Sequence, residues 1–248
     1  MAIKFEKNSL KYISKFAPIR CDTHFKHHIK LSDQFFNNKN IEWVSLDTIL
    51  VDMKNGMNLS TKFYSMDKTS YYYLSVSQIK EYGLIEKNQN YITEDVTNEK
   101  DYFELSENMI LVTRSGTVGI SLSTNHNSFD FKENSYIPSG FVITAKVNSA
   151  YSADNISAYI NLSYVQNFLK AMSAGKSQKN ISQPVLKNLL IPSVLLNNKE
   201  NKLNRYFNKY NEESSKILKK INDCEKQLEE IKTDLSEDVK KEIEKLYS

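Results

Sequence analysis

The chain has 248 residues, of which 40% are hydrophobic, so it is long enough and apolar enough to bury a substantial core. Its formal net charge of +3 is too small to indicate a nucleic-acid partner by itself, and any charged binding surface must be local. The two cysteines and the lack of an apolar run of about 18 residues predict a cytoplasmic protein without disulfides or a membrane span. The N-terminus also lacks the apolar segment of a signal peptide.

Residues 1–198 have the pattern of one α+β domain built from many short strands. Residues 11–16 fit a short helix, and strand-like runs follow at 43–46, 48–51, 71–76, 109–113, 136–137 and 141–145. Glycines predict turns at Asn55-Gly56 and at Gly116-x-x-Gly119. Near the end of the domain, residues 157–171 have helical spacing, and residues 189–191 form a last apolar run before Pro192.

The remaining segment, residues 199–248, contains no Gly and no Pro, and its apolar residues alternate by four and three, as in a coiled coil. The seam consists of Leu203, Phe207, Tyr210, Ile217, Ile221, Leu228, Ile231 and Leu235, with Cys224 and the weaker Ser214 at the two positions between them. A helix of this length extends about 65–70 Å, further than the domain can cover. We therefore predict a homodimer or another helix pair formed through this seam. The alternative is a helix that folds back on its own domain.

Motifs of several enzyme classes are absent from the sequence. The residues that follow the four prolines are Ile19, Ser139, Val185 and Ser193. These neighbours exclude the Pro-Pro-aromatic motif of amino-methyltransferases and the Pro-Asp box of many nucleases. Gly175-Lys176-Ser177 resembles the end of a phosphate-binding loop, but Lys170 stands where that loop requires glycine. The sequence thus predicts a non-catalytic protein.

One group of potential metal ligands lies near the N-terminus, at Cys21, His24, His27 and His28. A structural zinc site has four ligands and usually more than one thiolate, which this group cannot supply. We therefore expect a solvated polar patch and no metal.

A strand followed by a glycine-hinged turn, residues 109–119, places polar side chains where the backbone can approach a large ligand. Its candidate binding residues are Arg114, Ser115 and Thr117. A plain hairpin is the alternative interpretation. By the same reasoning, the polar residues after the Asn55-Gly56 turn are weaker candidates, namely Asn58, Ser60 and Lys62.

Residues 164–198 contain no Asp or Glu and form a local basic zone that the overall charge conceals. Lys176 and Lys179 are suited to phosphates, whereas Gln178 and Asn180, with the neighbouring Ser177, are suited to base edges. An ordinary basic loop is the alternative. Together the two stretches contain the residue types that contact phosphates and base edges in nucleic-acid-binding proteins.

The two stretches and the long helix occur in an order that resembles the specificity (S) subunit of type I restriction–modification systems. The matching pieces are Thr-Arg-Ser-Gly-Thr-Val-Gly at 113–119, Ala-Gly-Lys-Ser-Gln-Lys-Asn-Ile at 174–181 and Leu-Ile-Pro at 190–192. The resemblance covers nearly the whole chain and implies a target-recognition domain that reads one half of a bipartite DNA site. It also implies a helix that acts as a spacer and binds DNA adenine methyltransferase subunits.

The resemblance places the chemistry in partner subunits. S-adenosylmethionine and ATP would be bound there, this chain would hold no cofactor, and a restriction or translocase subunit would be a further partner. Full-length S subunits usually have two recognition domains and two helices, whereas this chain resembles a half-subunit. The segment Pro192–Asn198 departs from the family's usual proline-rich sequence before the helix.

Three other functions stay open on the sequence alone. The first is the recognition subunit of a type II system with a fused nuclease–methylase partner. The second is a coiled-coil adaptor or structural protein with a protein- or sugar-binding head, and the third is a free-standing enzyme. Salt-dependent binding to duplex DNA distinguishes the specificity subunit from the adaptor.

Overall fold

The computed structural model describes residues 23–85, 90–93, 96, 100–175, 179–196 and 202–246, and its elements confirm the predicted α+β class. The helices in these ranges are α1 (Thr23–Phe36), α2 (Lys100–Phe103), α3 (Ala153–Ile160), α4 (Ser163–Met172), α5 (Gln183–Lys187) and α6 (Lys202–Leu246). The strands are β1 (Trp43–Ser45), β2 (Leu50–Asn55), β3 (Tyr64–Ser65), β4 (Tyr71–Leu74), β5 (Ile79–Lys80), β6 (Gly83–Leu84), β7 (Asn90–Ile92), β8 (Met109–Thr113), β9 (Ser121–Ser123), β10 (Ser135–Pro138), β11 (Val142–Val147) and β12 (Leu190–Pro192). Short 3-10 helices occupy Leu46–Ile49, Thr61–Phe63 and Ser193–Leu196.

Two four-stranded sheets make up most of the domain. The first has the order β2-β11-β8-β9 and is antiparallel, whereas the second has the order β10-β4-β7-β3 and includes the parallel pair β10–β4. β8 and β11 lie at the centre of the first sheet, and both strands are almost wholly buried. β1 pairs with β12, with Trp43 opposite Pro192, which joins the beginning of the domain to its end.

The largest hydrophobic cluster lies between the first sheet and the helices α1, α3 and α4. Helix α1 packs along α4, and the rings of Phe36 and Phe168 have centroids 5.1 Å apart. Sequence reasoning missed α1, although Phe25, Ile29 and Phe36 are buried at helical spacing. The polar Ser32 is also buried on this face, and it interrupts the apolar pattern.

Two predicted elements differ in the structure. The helix predicted at 157–171 is two helices, α3 and α4, because Asn161 ends the first by hydrogen bonding to the edge of the sheet. Its Nδ2 donates to the Ser121 carbonyl at 2.8 Å, and its Oδ1 accepts from the Ser121 N–H at 2.9 Å. The strand predicted at 48–51 begins only at Leu50, after a 3-10 helix. The helix predicted at 11–16 lies outside the described residues.

Helix α6 is 45 residues long, and its first half packs against the domain. Asn155 Nδ2 donates to Asn204 Oδ1 at 3.1 Å near its start, and Ser214 and Leu218 are buried further along. Leu218 contacts Gly83, where a β-carbon would lie 2.3 Å from Leu218 Cδ2. The helix then continues past the domain. Its first half therefore packs on its own domain, as the alternative interpretation has it, and its second half extends beyond the domain, as predicted. No described helix combines the length and the apolar character that crossing a membrane requires.

A histidine links the domain to this helix. His126 Nε2 lies 3.0 Å from Ser215 Oγ, and its Nδ1 accepts a hydrogen bond from the Ser128 N–H at 3.1 Å. Because Nδ1 is the acceptor, the neutral ring carries its proton on Nε2 and donates it to Ser215. Burial lowers the pKa of His126, and the carboxylate of Asp154 partly opposes this shift.

Candidate functional site

The turn after β8 is held rigidly by side-chain hydrogen bonds. Thr113 Oγ1 accepts from the Ile120 N–H at 2.9 Å and donates to the carbonyl of Thr117. Gln166 Nε2, on α4, donates to the Gly119 carbonyl at 2.7 Å. Gly116 and Gly119 both have positive φ, at 71° and 90°, which confirms the tight turn predicted between them.

The second predicted stretch meets this turn directly. The Ile181 N–H donates to the Arg114 carbonyl at 2.9 Å, and Ser115 and Asn180 form an isolated antiparallel bridge. Ala174 and Asn180 exchange two backbone hydrogen bonds, at 2.9 and 2.7 Å, and so close the base of the loop between them. The structure therefore brings together two segments that are about 60 residues apart in the sequence.

The candidates at this junction differ in exposure. Thr117 is exposed, whereas Arg114, Lys179 and Asn180 are half-buried and Ser115 is buried. Neither Arg114 nor Lys179 forms an ion pair with any residue that the structure describes. Their positive charges are therefore not neutralised by this part of the chain. Lys176, Ser177 and Gln178 lie outside the described residues.

The weaker candidates, Asn58, Ser60 and Lys62, are exposed and follow the end of β2. Asn58 lies against the turn between β10 and β11, so close that a β-carbon at Gly140 would be 2.0 Å from its Oδ1. The Lys62 ammonium lies 4.7 Å from the centre of the Phe63 ring. Asn58 and Ser115 lie on the same side of the domain, because both line one groove.

This groove, of about 450 Å³, runs between the Ser115-Gly116 turn and the second sheet. We call it the reading groove, and its lining residues are Asn58, Leu59, Tyr64, Tyr73, Ser75, Val76, Ser77, Ser115, Gly116, Ser139 and Phe141. Tyr73 fixes one wall, because its hydroxyl donates to the Met57 carbonyl at 2.8 Å. Burial raises the pKa of this hydroxyl. The buried Oγ of Ser139 has no hydrogen-bond partner among the described residues. The lining of the groove is largely apolar, with several hydroxyls and one amide, and it has no charged side chain.

Sequence reasoning missed several residues of the reading groove, most clearly Phe141 and Tyr64, which are 55% and 38% exposed. A signal was present in the distribution of charge. The four segments that line the groove, 53–66, 68–80, 108–129 and 134–153, contain no Asp or Glu. Because these segments are separated in sequence, only the fold reveals that they meet around one groove.

The predicted helix seam is divided between two environments. Phe207 packs against the main core, and Ile221 is half-buried beside the domain. The other members are exposed, namely Leu203, Tyr210, Ile217, Leu228, Ile231 and Leu235. Leu228, Ile231 and Leu235 continue the seam beyond the domain and are each about 60% exposed. They form an apolar stripe that no described residue covers.

Of the four potential metal ligands near the N-terminus, the side chains of His27 and His28 are described. Within the described ranges, no group of three His, Cys, Asp or Glu residues is arranged to hold a metal ion. Cys21 and the side chain of His24 lie outside those ranges, whereas His28 Nδ1 lies 3.0 Å from Asn167 Oδ1 on α4. His28 therefore takes part in the packing of α1 against α4.

Comparison with known proteins adds information on the fold. The sequence matches no protein-family model and no curated protein. A chain from a structural study of complex assembly and conformational transition in a type I R-M system is 11% identical, with a TM-score of 0.50 over 85% of this chain and 50% of that chain. The type I restriction-modification S subunit from M. genitalium is 18% identical, with a TM-score of 0.45 over 70% of this chain and 39% of that one.

The HsdS subunit from Thermoanaerobacter tengcongensis is 10% identical, with a TM-score of 0.45 over 87% of this chain and 45% of that chain. Over the aligned part, this chain has a fold similar to that of the chain from the type I R-M system. The chain spans half or less of the length of these solved chains.

Proposed function

We propose that this chain is the sequence-specific DNA recognition subunit of a restriction–modification methyltransferase complex, and that its domain reads one half-site of double-stranded DNA. The observation that carries the proposal is the junction at which the Arg114 turn and the Asn180 segment are hydrogen bonded to each other beside the reading groove. The segments that line the groove contain no acidic residue, which favours the approach of a polyanion.

The site residues divide into two roles. Lys176 and Lys179 neutralise phosphates and position the duplex. Arg114, Ser115, Thr117, Ser177, Gln178 and Asn180 supply the directional donors and acceptors for base edges. Asn58, which lines the groove, and the nearby Ser60 and Lys62 are weaker members of the same group. For Ser115, which is buried, contact with DNA goes through its backbone or through a small local rearrangement.

The helix α6 supplies the connection to other subunits. Its apolar stripe beyond the domain pairs with a second copy of the chain, which produces a homodimer with two recognition domains. A DNA adenine methyltransferase subunit binds S-adenosylmethionine and performs the chemistry, and ATP belongs to a restriction or translocase subunit. This chain is then neither catalytic nor cofactor-binding, and it acts in the cytoplasm, where the DNA is.

A map of adenine methylation in the host genome tests this proposal. Deleting the gene should abolish methylation at one bipartite motif, and restoring the wild-type gene should restore methylation there. A matched strain carrying Lys187→Ala should also restore methylation, because the ammonium of Lys187 is already paired with Asp47. An unchanged methylation map after deletion would contradict the proposal and favour an adaptor with a protein- or sugar-binding head.

A further inference from the structure

The reading groove offers a base-contacting residue that the sequence did not single out. Phe141 has an exposed ring in the turn between β10 and β11, although the next residue, Val142, is completely buried. Its backbone is held firmly, because its carbonyl accepts from the Arg114 N–H at 2.8 Å. The neighbouring Val142 N–H donates to the Ser139 carbonyl at the same distance. The ring is therefore presented to the groove by a rigid turn.

The chemistry of the groove selects the kind of group that it accepts. Its lining combines three aromatic rings, serine hydroxyls at Ser75 and Ser77, and the amide of Asn58, without any acidic or basic side chain. A phosphate would leave its charge unmatched in this lining, whereas base edges offer neutral donors, acceptors and an apolar methyl group. The acid-free segments around the groove allow the phosphates to lie outside it, near Lys179.

We propose that Phe141 determines part of the target sequence by packing against the 5-methyl group of a thymine in the major groove. This inference rests on the proposed function, since it assumes that the domain binds duplex DNA. Apolar side chains, including phenylalanine, recognise thymine through this methyl group, because it projects from the major-groove edge of the base. Phe141 is a specificity-determining residue, and Asn58, which contacts Gly140 in the same turn, lies beside it in the groove.

Selection from a duplex library with a randomised core tests this role. The purified full-length wild-type chain should enrich a motif that contains a thymine, and Phe141→Ala should enrich the same motif with that one position relaxed. Tyr102→Ala is the matched control, because Tyr102 is an aromatic residue of similar exposure, 60%, that does not line the groove. It should enrich the wild-type motif unchanged.

Replacing the selected thymine by uracil removes only the methyl group. Wild-type affinity should then fall roughly fourfold, the equivalent of one buried methyl group. Phe141→Ala should bind the thymine and uracil duplexes equally, because the methyl group has no phenylalanine ring to contact in this variant. Additive losses, an unchanged motif, or an equal loss on all sequences would each contradict the role of Phe141. A wild-type chain that enriches no motif would instead contradict the proposed function itself.

Discussion

At the scale of single residues, charge and its neutralisation separate the candidate contacts. Lys179 and Lys187 both belong to the acid-free zone of residues 164–198. The Lys187 ammonium lies 3.3 Å from Asp47 Oδ1, whereas Lys179 makes no ion pair with the described part of the chain. Of these two lysines, Lys179 is therefore the one whose charge is available for a phosphate.

Lys179→Ala should weaken binding to every duplex alike and lower the slope of log affinity against log salt by about one unit. Lys187→Ala is the control and should leave the slope unchanged. The measurement is a titration of the selected and scrambled duplexes at several salt concentrations. A loss confined to the selected duplex would move Lys179 into the base-reading group.

Asn180 is expected to behave in the opposite way. Its amide can pair with an adenine edge, so Asn180→Ala should cost about 1–3 kcal/mol on the selected duplex and little on scrambled DNA. The backbone pairing of Asn180 with Ala174 does not depend on the side chain. Equal losses on both duplexes would exclude Asn180 from base recognition.

His126 should make stability depend on pH. Because burial lowers its pKa in the folded protein, the neutral ring contributes stability above the unfolded pKa of about 6.5. That contribution is lost as the pH falls through the folded value, since a second proton would face the Ser128 N–H. Chemical denaturation between pH 7.5 and about 5.5 measures this effect. His126→Gln should flatten the dependence, and an equally steep curve for this variant would assign the dependence to other groups.

At the scale of elements, the sequence predicted those structures whose signal is local. The continuous apolar run of Ile110 to Val112 predicted β8, and Gly116 and Gly119 predicted the turn that follows. The break at Asn161 could not be predicted, because it depends on hydrogen bonds to Ser121, 40 residues away. The junction of the Arg114 turn with Asn180 likewise requires the pairing of distant segments.

The packing of helix α6 also depends on a contact between distant segments. The heptad pattern predicted its existence and its seam, but not that Leu218, outside the seam, is buried against the domain. That contact depends on Gly83, which has φ of 132° and no side chain in the way. Periodicity identifies apolar residues on a helix, whereas the face that meets the domain depends on the shape of the partner surface.

Leu218→Ala should lower the free energy of unfolding by about 2–3 kcal/mol, because it removes a buried side chain that joins the helix to the domain. The neighbouring Ile217 is 54% exposed, and Ile217→Ala serves as the control, with an expected change of less than about 1 kcal/mol. Denaturant unfolding at low protein concentration compares the two variants. Equal effects would show that Leu218 does not hold the helix on the domain.

At the scale of the whole molecule, the length of α6 determines how two domains can be spaced. Its 45 residues extend about 68 Å, and the stripe of Leu228, Ile231 and Leu235 lies beyond the domain. An antiparallel pair would place one recognition domain at each end, related by a two-fold axis. Such a dimer would read an inverted repeat with a fixed gap.

The double substitution Leu228→Asp with Leu235→Asp should convert the dimer into a monomer, because charges in a helix seam oppose its burial. Thr233→Asp with Lys240→Asp introduces the same number of aspartates on the opposite helix face and should remain dimeric. Sedimentation equilibrium distinguishes the two outcomes. A wild-type chain that is already monomeric at tens of micromolar would show that the stripe binds another protein.

The central claim is that this chain reads a DNA sequence, and the affinity of the purified chain for its selected duplex tests this most directly. The measurement compares that duplex with one of scrambled sequence and equal length, at low and at physiological salt. The account predicts that salt weakens binding to both duplexes, while a preference of at least about 4 kcal/mol for the selected one persists. Equal affinity for the two duplexes, or binding that does not respond to salt, would contradict it.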